Sequence, residues 1–231
     1  MSLPIILFIS TFGFSLWAMW RVKSVYRRFS QVEARSGATG AEVAAAILDR
    51  AGIHDVEILE HDEMLGDHYD PTHKRLVLSS QNYSGRSLAA LGVAAHECGH
   101  AIQHKIAYAP LEWRMASVTV TNFANQILMW LPLIGLFTGL IRPYTAAWIM
   151  TGAWGVIMLF NLVTLPVEFD ASSRAKLILA DMGYIGSFDE MDGVRRTLDA
   201  AAWTYVAAFV TSLLYFLYHL LPLISGGRSD D

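Results

Sequence analysis

The densest chemistry in this 231-residue chain is the run His96-Glu97-Cys98-Gly99-His100. On a helix, residues i and i+4 share one face about one turn apart. Two imidazoles at that spacing can hold one zinc ion, and the intervening Glu97 then faces the water to be activated. Small and apolar neighbours (Ala94, Ala95, Ala101, Ile102) predict that this helix is buried, where ionisable groups need a compensating partner. A catalytic zinc ordinarily has three protein ligands and an open position, so a third ligand must come from elsewhere. Glu168 is the first choice, because it is the first charged residue after a long uncharged run and opens a segment on the same side as His96. Its plainer reading is a helix cap that complements the dipole. Asp170, two residues on, points elsewhere on a helix and suits a partner for a ligand histidine. His104 continues the face of His96 and His100, but i to i+8 is about 12 Å along a straight helix, too far for one ion. Asp192, followed by Gly193, is a further carboxylate candidate.

These residues need rigid elements to hold them. Residues 88–109 read as one helix with no proline before Pro110. Upstream, Thr39-Gly-Ala-Glu42 is a capping box opening a helix over 42–51 that stops at Gly52. Residues 56–59, 68–70 and 75–79 have strand character and predict a small antiparallel sheet, with 71–74 as its turn. The last of these strands, just before the motif helix, is expected to pair with an extended substrate by strand addition. Pro166 suits the first turn of a helix running to Met182. Ser187-Phe-Asp-Glu190 is a second capping box, whose helix leads into the last apolar run.

Composition decides where all this sits. Charged residues are 16% of the chain, hydrophobic residues are 54%, and the mean hydropathy is +0.36. Residues 1–20, 115–141, 143–167 and 200–227 contain no Asp, Glu, Lys or Arg. Each is long enough for a membrane helix, which needs about 20 residues. The first lacks the basic start and small-residue cleavage site of a signal peptide, so it reads as an uncleaved anchor. Fifteen of the seventeen basic residues fall in 21–114 and 166–199, and such residues mark the cytoplasmic side. The expected organisation is a mainly α integral membrane protein of the plasma (inner) membrane. Its spans are 1–20, 115–141, 143–165 and 200–222, and its tail is 223–231. A cytosolic α+β region over 21–114 carries HExxH, a cytosolic helical segment over 166–199 carries the third ligand, and both termini face outward. One cysteine excludes an intramolecular disulfide framework, and a net charge of -4 gives no case for nucleic acid.

Asp67-His-Tyr-Asp-Pro71, Leu76-Val-Leu-Ser79, the stretch from Gly85 through the motif to His104, and Leu165-Pro-Val-Glu-Phe-Asp-Ala-Ser172 together resemble the YugP-type neutral zinc membrane metallopeptidases. The resemblance covers nearly the whole chain, and it is shared more distantly with the Ste24-type and HtpX-type membrane peptidases, a gluzincin group. It implies a zincin-like region with one Zn2+ on His96, His100 and Glu168, and Glu97 as catalytic base. One position departs: the Ste24 and HtpX pattern has Asp four residues after the Glu ligand, where this chain has Ser172. The hydrogen bond such an Asp makes to a ligand histidine must then come from elsewhere, with Asp170 as the candidate.

Candidate donors for the oxyanion of the reaction are His68, Tyr69, Tyr108 and Arg174. Cys98 falls on the helix face away from the histidine pair and reads as packing, the tryptophans as interfacial aromatics, and Asn122, Asn125 and Asn161 as interhelical hydrogen bonders or a polar path. The leading function is a membrane-embedded zinc endopeptidase acting on membrane-associated or unfolded proteins, with a protein or peptide substrate, the lipid bilayer, and membrane protein partners or further copies of itself as its associates. A runner-up of the same class is an intramembrane site-2-type protease, whose Asp-Gly ligand Asp192-Gly193 resembles. The alternative of another class is a zinc-stabilised membrane scaffold or regulatory subunit of a protein quality-control complex that does not cleave.

Overall fold

The computed structural model describes residues 2–62, 66–139 and 141–225; the chain beyond 225, where most of the expected tail lies, is outside them. It is mainly helical. In chain order the elements are α1 (Leu3–Phe29), α2 (Gly40–Arg50), β1 (Glu57–His61), β2 (His68–Asp70), β3 (Arg75–Ser79), α3 (Ser80–Tyr83), α4 (Leu88–Lys105), α5 (Ala109–Thr138), α6 (Pro143–Asp181) and α7 (Phe188–Ser225).

The capping signals act as expected. Thr39 accepts from the Glu42 backbone N–H while Glu42 accepts from that of Thr39, closing the box at the start of α2, and Gly52 turns the chain at φ +64°. Ser187 and Glu190 make the same reciprocal pair at the start of α7. Three expectations are corrected. The helix expected over 88–109 ends at Lys105. Ala107 adopts φ +50°, its N–H bonds the His104 carbonyl, and the Tyr108 N–H bonds the Gln103 carbonyl. That is a Schellman ending with alanine where glycine is usual, so the sequence carries no breaker there. Pro166 does not open a helix but lies inside α6, which leaves the Leu162 carbonyl without its helical donor. The sheet is mixed rather than antiparallel: its order is β1-β3-β2, with β1 parallel and β2 antiparallel to β3. The turn after Asp70 folds β2 back onto one side of β3, so β1 can pair only with the other side. Because β3 is central, both its edges are taken, and it cannot accept a substrate strand.

The chain divides into two compact units. One comprises Trp17–Glu112 and Pro166–Thr204. At its centre α4 packs against α2 through Val43, Ala44 and Ile47, against β3 through Leu76 and Leu78, against α6 through Ala175 and Leu179, and against α7 through Val194 and Leu198, all buried. Ala89, Ala90, Ala94, Ala95, Cys98 and Ala101 are buried around the whole circumference of α4, the pattern of a core helix. The other unit comprises Met1–Leu16, Trp113–Leu165 and Tyr205–Asp231. Within it Trp154 stacks on Tyr215 with centroids 4.6 Å apart, and the Asn161 amide donates to the Ala208 carbonyl and the Ser212 hydroxyl. Asn161 is thus an interhelical hydrogen bonder.

Among the described residues three helices are long and apolar enough to cross a membrane: α1, α6 and α7. The remaining apolar run forms most of α5, but Asn122, Asn125, Gln126 and Pro132 dilute it. Phe8, Phe12, Phe123, Met129, Phe137, Leu159 and Leu221 are exposed, as lipid-facing side chains are and those of a water-soluble domain rarely are.

Candidate metal centre

Ser87 starts the motif helix, accepting from the Ala90 N–H as N-cap. About three turns later the backbone of α4 comes so close to α6 that a Cβ on Gly99 would stand 2.8 Å from the Ala171 carbonyl oxygen and 3.0 Å from its Cα. Only glycine allows this approach, and the approach brings Glu168 to the histidines. His96 Nε2 lies 3.2 Å and His100 Nε2 3.6 Å from the same Glu168 oxygen. The ligand atoms of His96, His100 and Glu168 all fall within 4.8 Å of one another. Glu168 is 2% exposed and Glu97 is 8% exposed.

The electrostatics follow from this crowding. Burial opposes charge on His100, but its hydrogen bond to Glu168 and the charges of Glu97 and Glu168 outweigh burial and hold its pKa above the ordinary imidazole value. Burial likewise opposes charge on Glu168, just beyond the uncharged run of α6, and the bonds and charges of His100 and His96 outweigh it, holding the carboxyl well below the usual range. Two imidazole nitrogens and a carboxylate aimed at one point repel unless something positive joins them. Two nitrogens and one oxygen are also the donor set of a zinc site with an open position, so the residues fit Zn2+.

The histidine Nδ1 atoms are engaged too. Ser172 Oγ lies 3.1 Å from His96 Nδ1, and Gln103 Oε1 lies 2.9 Å from His100 Nδ1. Ser172, at the position where the Ste24 and HtpX pattern has Asp, itself reaches His96. Asp170 touches neither histidine; it accepts from Gln103 at 2.8 Å and from Arg174 at 2.6 Å. Gln103 is the residue that sequence reasoning missed.

The other candidates lie elsewhere. His104 bonds the Tyr69 hydroxyl at 2.9 Å and is not in the triad. His68, exposed on β2, bonds the Gly66 carbonyl at 2.7 Å. Asp192 is committed to Arg195 and Arg196 on the first turns of α7, which removes the support for the site-2-type alternative. Tyr108 feels Asp170 and Arg174: burial first, then the Asp170 charge, push its phenol up. Cys98 is fully buried with its thiol against the Ala44 carbonyl, and burial drives its pKa far up.

Residues 4–224 match the protein family described as "Putative neutral zinc metallopeptidase". The chain is 43% identical over 222 residues to the "Putative membrane protease YugP" of Bacillus subtilis (strain 168), covering 96% of this chain and 97% of that protein. No solved structure matches the chain significantly.

Proposed function

Since the chain belongs to the neutral zinc metallopeptidase family, we propose that it is a membrane-embedded zinc endopeptidase of the HExxH, gluzincin type. It hydrolyses peptide bonds of membrane-associated or unfolded proteins at a site facing the cytosol. One observation carries this reading: His96, His100 and Glu168 converge on one point, and Glu97, adjacent to His96 in the motif, is buried with them. Zinc held by the three ligands supplies Lewis acidity and a water of lowered pKa. Glu97, the acid outside the ligand set, takes the proton of the attacking water and returns it to the leaving amine. Ser172 and Gln103 hold the two imidazoles. Of the four candidate oxyanion donors, Tyr108 and Arg174 belong to the polar group around Asp170, whereas Tyr69 is bonded to His104 and His68 to Gly66.

In this reading α1, the uncharged part of α5, the first part of α6 and the later part of α7 make four crossings of the plasma membrane. Both termini lie outside, and the basic regions 21–114 and 166–199 lie in the cytosol. The test is zinc content and casein hydrolysis by detergent-purified wild type, Glu97→Gln and Glu168→Ala. The expected result is one zinc per chain, retained without turnover in Glu97→Gln and lost in Glu168→Ala. Zinc bound equally by all, with no turnover in any, would replace the peptidase by the non-cleaving scaffold.

A further inference from the structure

Gln103 lies outside the motif and touches His100, and its surroundings leave it one orientation. It is fully buried. Its amide nitrogen lies 2.8 Å from the Val167 carbonyl oxygen and 2.8 Å from an Asp170 carboxylate oxygen. A primary amide nitrogen has two hydrogens to donate, and a carbonyl and an ionised carboxylate only accept. Turning the amide over would set its oxygen against two acceptors at once, a buried mismatch costing far more than an ordinary hydrogen bond is worth. Asp170 is held in its acceptor role by Arg174, whose Nε donates to the same carboxylate oxygen at 2.6 Å. The oxygen of Gln103 is therefore the atom that faces His100.

That orientation reaches the histidine. An amide oxygen accepts only, so at 2.9 Å the His100 Nδ1 must supply the hydrogen. A neutral imidazole has one such hydrogen, so the lone pair stands on Nε2, the atom turned toward Glu168. His96 differs in kind: the Ser172 hydroxyl can donate or accept and leaves its tautomer open. We propose that Gln103 is a positioning residue that locks His100 into the Nδ1–H tautomer and presents its Nε2 lone pair to the metal, with Asp170 and Arg174 preventing the amide from turning over. The consequence for zinc rests on the metallopeptidase reading; the tautomer does not.

The test uses the full chain in detergent and two readouts. Zinc dissociation constants are measured by competition with a chromophoric chelator. Nitrogen-15 resonances of the imidazoles are measured on metal-free protein over a rising pH series, and the tautomer is read where the His100 resonances stop moving. Gln103→Met fills the space with only a weak acceptor and is expected to weaken zinc binding about 10–100-fold and to release His100 from the Nδ1–H form. Gln103→Glu keeps the acceptor but turns a carboxylate oxygen on both Asp170 and the Val167 carbonyl, and it is expected to bind weakly; replacing Asp170 relieves the charged one of these two clashes. Adding Asp170→Asn to Gln103→Glu supplies a donor opposite that oxygen and keeps a negative charge beside Arg174, so affinity should return toward wild type. A packing role alone would not produce that recovery. Wild-type His100 in the Nε2–H form, unaltered affinity in Gln103→Met, or a double variant no better than Gln103→Glu would each overturn the proposal. If wild type holds no zinc, the metallopeptidase reading falls, and the nitrogen-15 result alone decides the role of Gln103.

Discussion

In the unit made of Trp17–Glu112 and Pro166–Thr204, small side chains let helices approach to backbone contact, and the buried side chains Gln103 and Asn82 have polar partners. Gln103 is satisfied by His100, Val167 and Asp170. Asp67 accepts from the Ser79 N–H and hydroxyl and from Asn82, whose oxygen accepts from Tyr26. In the unit made of Met1–Leu16, Trp113–Leu165 and Tyr205–Asp231, large apolar side chains face outward, and Asn161 makes a polar contact between α6 and α7. The first unit joins an apolar core to paired buried polar groups, and the second presents an apolar surface that suits lipid. A substitution in the first should therefore act on zinc, stability or both, and one in the second on neither to any great degree.

Gly99→Val sharpens this contrast most. A side chain there collides with the Ala171 backbone, and overpacking of this kind costs about 1–3 kcal/mol. The same collision pushes α6, and with it Glu168, away from the histidines. Zinc content and thermal unfolding should fall together; a Gly99→Val protein with full zinc would show that the close approach does not set the site. Asp67→Ala separates the two effects. It leaves the Ser79 N–H and the Asn82 amide without their acceptor, which costs about 1–3 kcal/mol. Zinc content should stay unchanged, because no ligand touches Asp67. Loss of zinc in this variant would mean that stability and site are not separable within the unit.

Much of this first unit is legible in the sequence, and what is not has a common cause. HExxH and both capping boxes are read from spacings of three or four residues, and helix geometry alone turns those spacings into contacts. Glu168 is legible by contrast, as the first charge after an apolar run. Gln103 is not, since its orientation depends on Val167 and Asp170 more than sixty positions away. Parallel pairing of β1 with β3 is likewise invisible locally, because the turn that folds β2 onto β3 decides which edge remains for β1. The end of α4 escapes because Ala107 adopts a conformation that glycine usually signals. In the second unit charge-free runs announce long helices, yet composition does not say that α6 continues through Pro166.

Two smaller effects probe the contrast from each side. Ser172→Ala removes a hydroxyl from His96 but leaves no fixed tautomer to lose, so zinc affinity should drop no more than about tenfold. A drop larger than that of Gln103→Met would reverse the ranking of the two histidine supports. In the apolar unit, Asn161→Leu removes the bonds to Ala208 and Ser212. Polar contacts between helices in bilayers average about 0.6 kcal/mol, so a small fall in unfolding temperature with unchanged zinc is expected. Zinc loss here would break the comparison, because it would make the apolar helices part of the metal site's support.

The smallest effect belongs to the Thr39–Glu42 capping box, which tests whether every polar device in the first unit serves the metal. Glu42 is exposed to solvent, and its carboxyl is held below the ordinary value by its hydrogen bonds with the Thr39 backbone and side chain. A carboxyl depressed on folding stabilises the fold fully above its unfolded pKa and loses that contribution as pH falls through its folded one. Wild type should therefore lose slightly more stability than Glu42→Gln between neutral pH and the acid side of the glutamate range. The comparison is made on metal-free protein, because protonation of the ligands would otherwise release zinc over the same range. If the two proteins lost stability in parallel, the capping box would contribute nothing through its charge, and its two hydrogen bonds, the Thr39 N–H to the side chain at 42 and the residue 42 N–H to the Thr39 hydroxyl, would account for the cap.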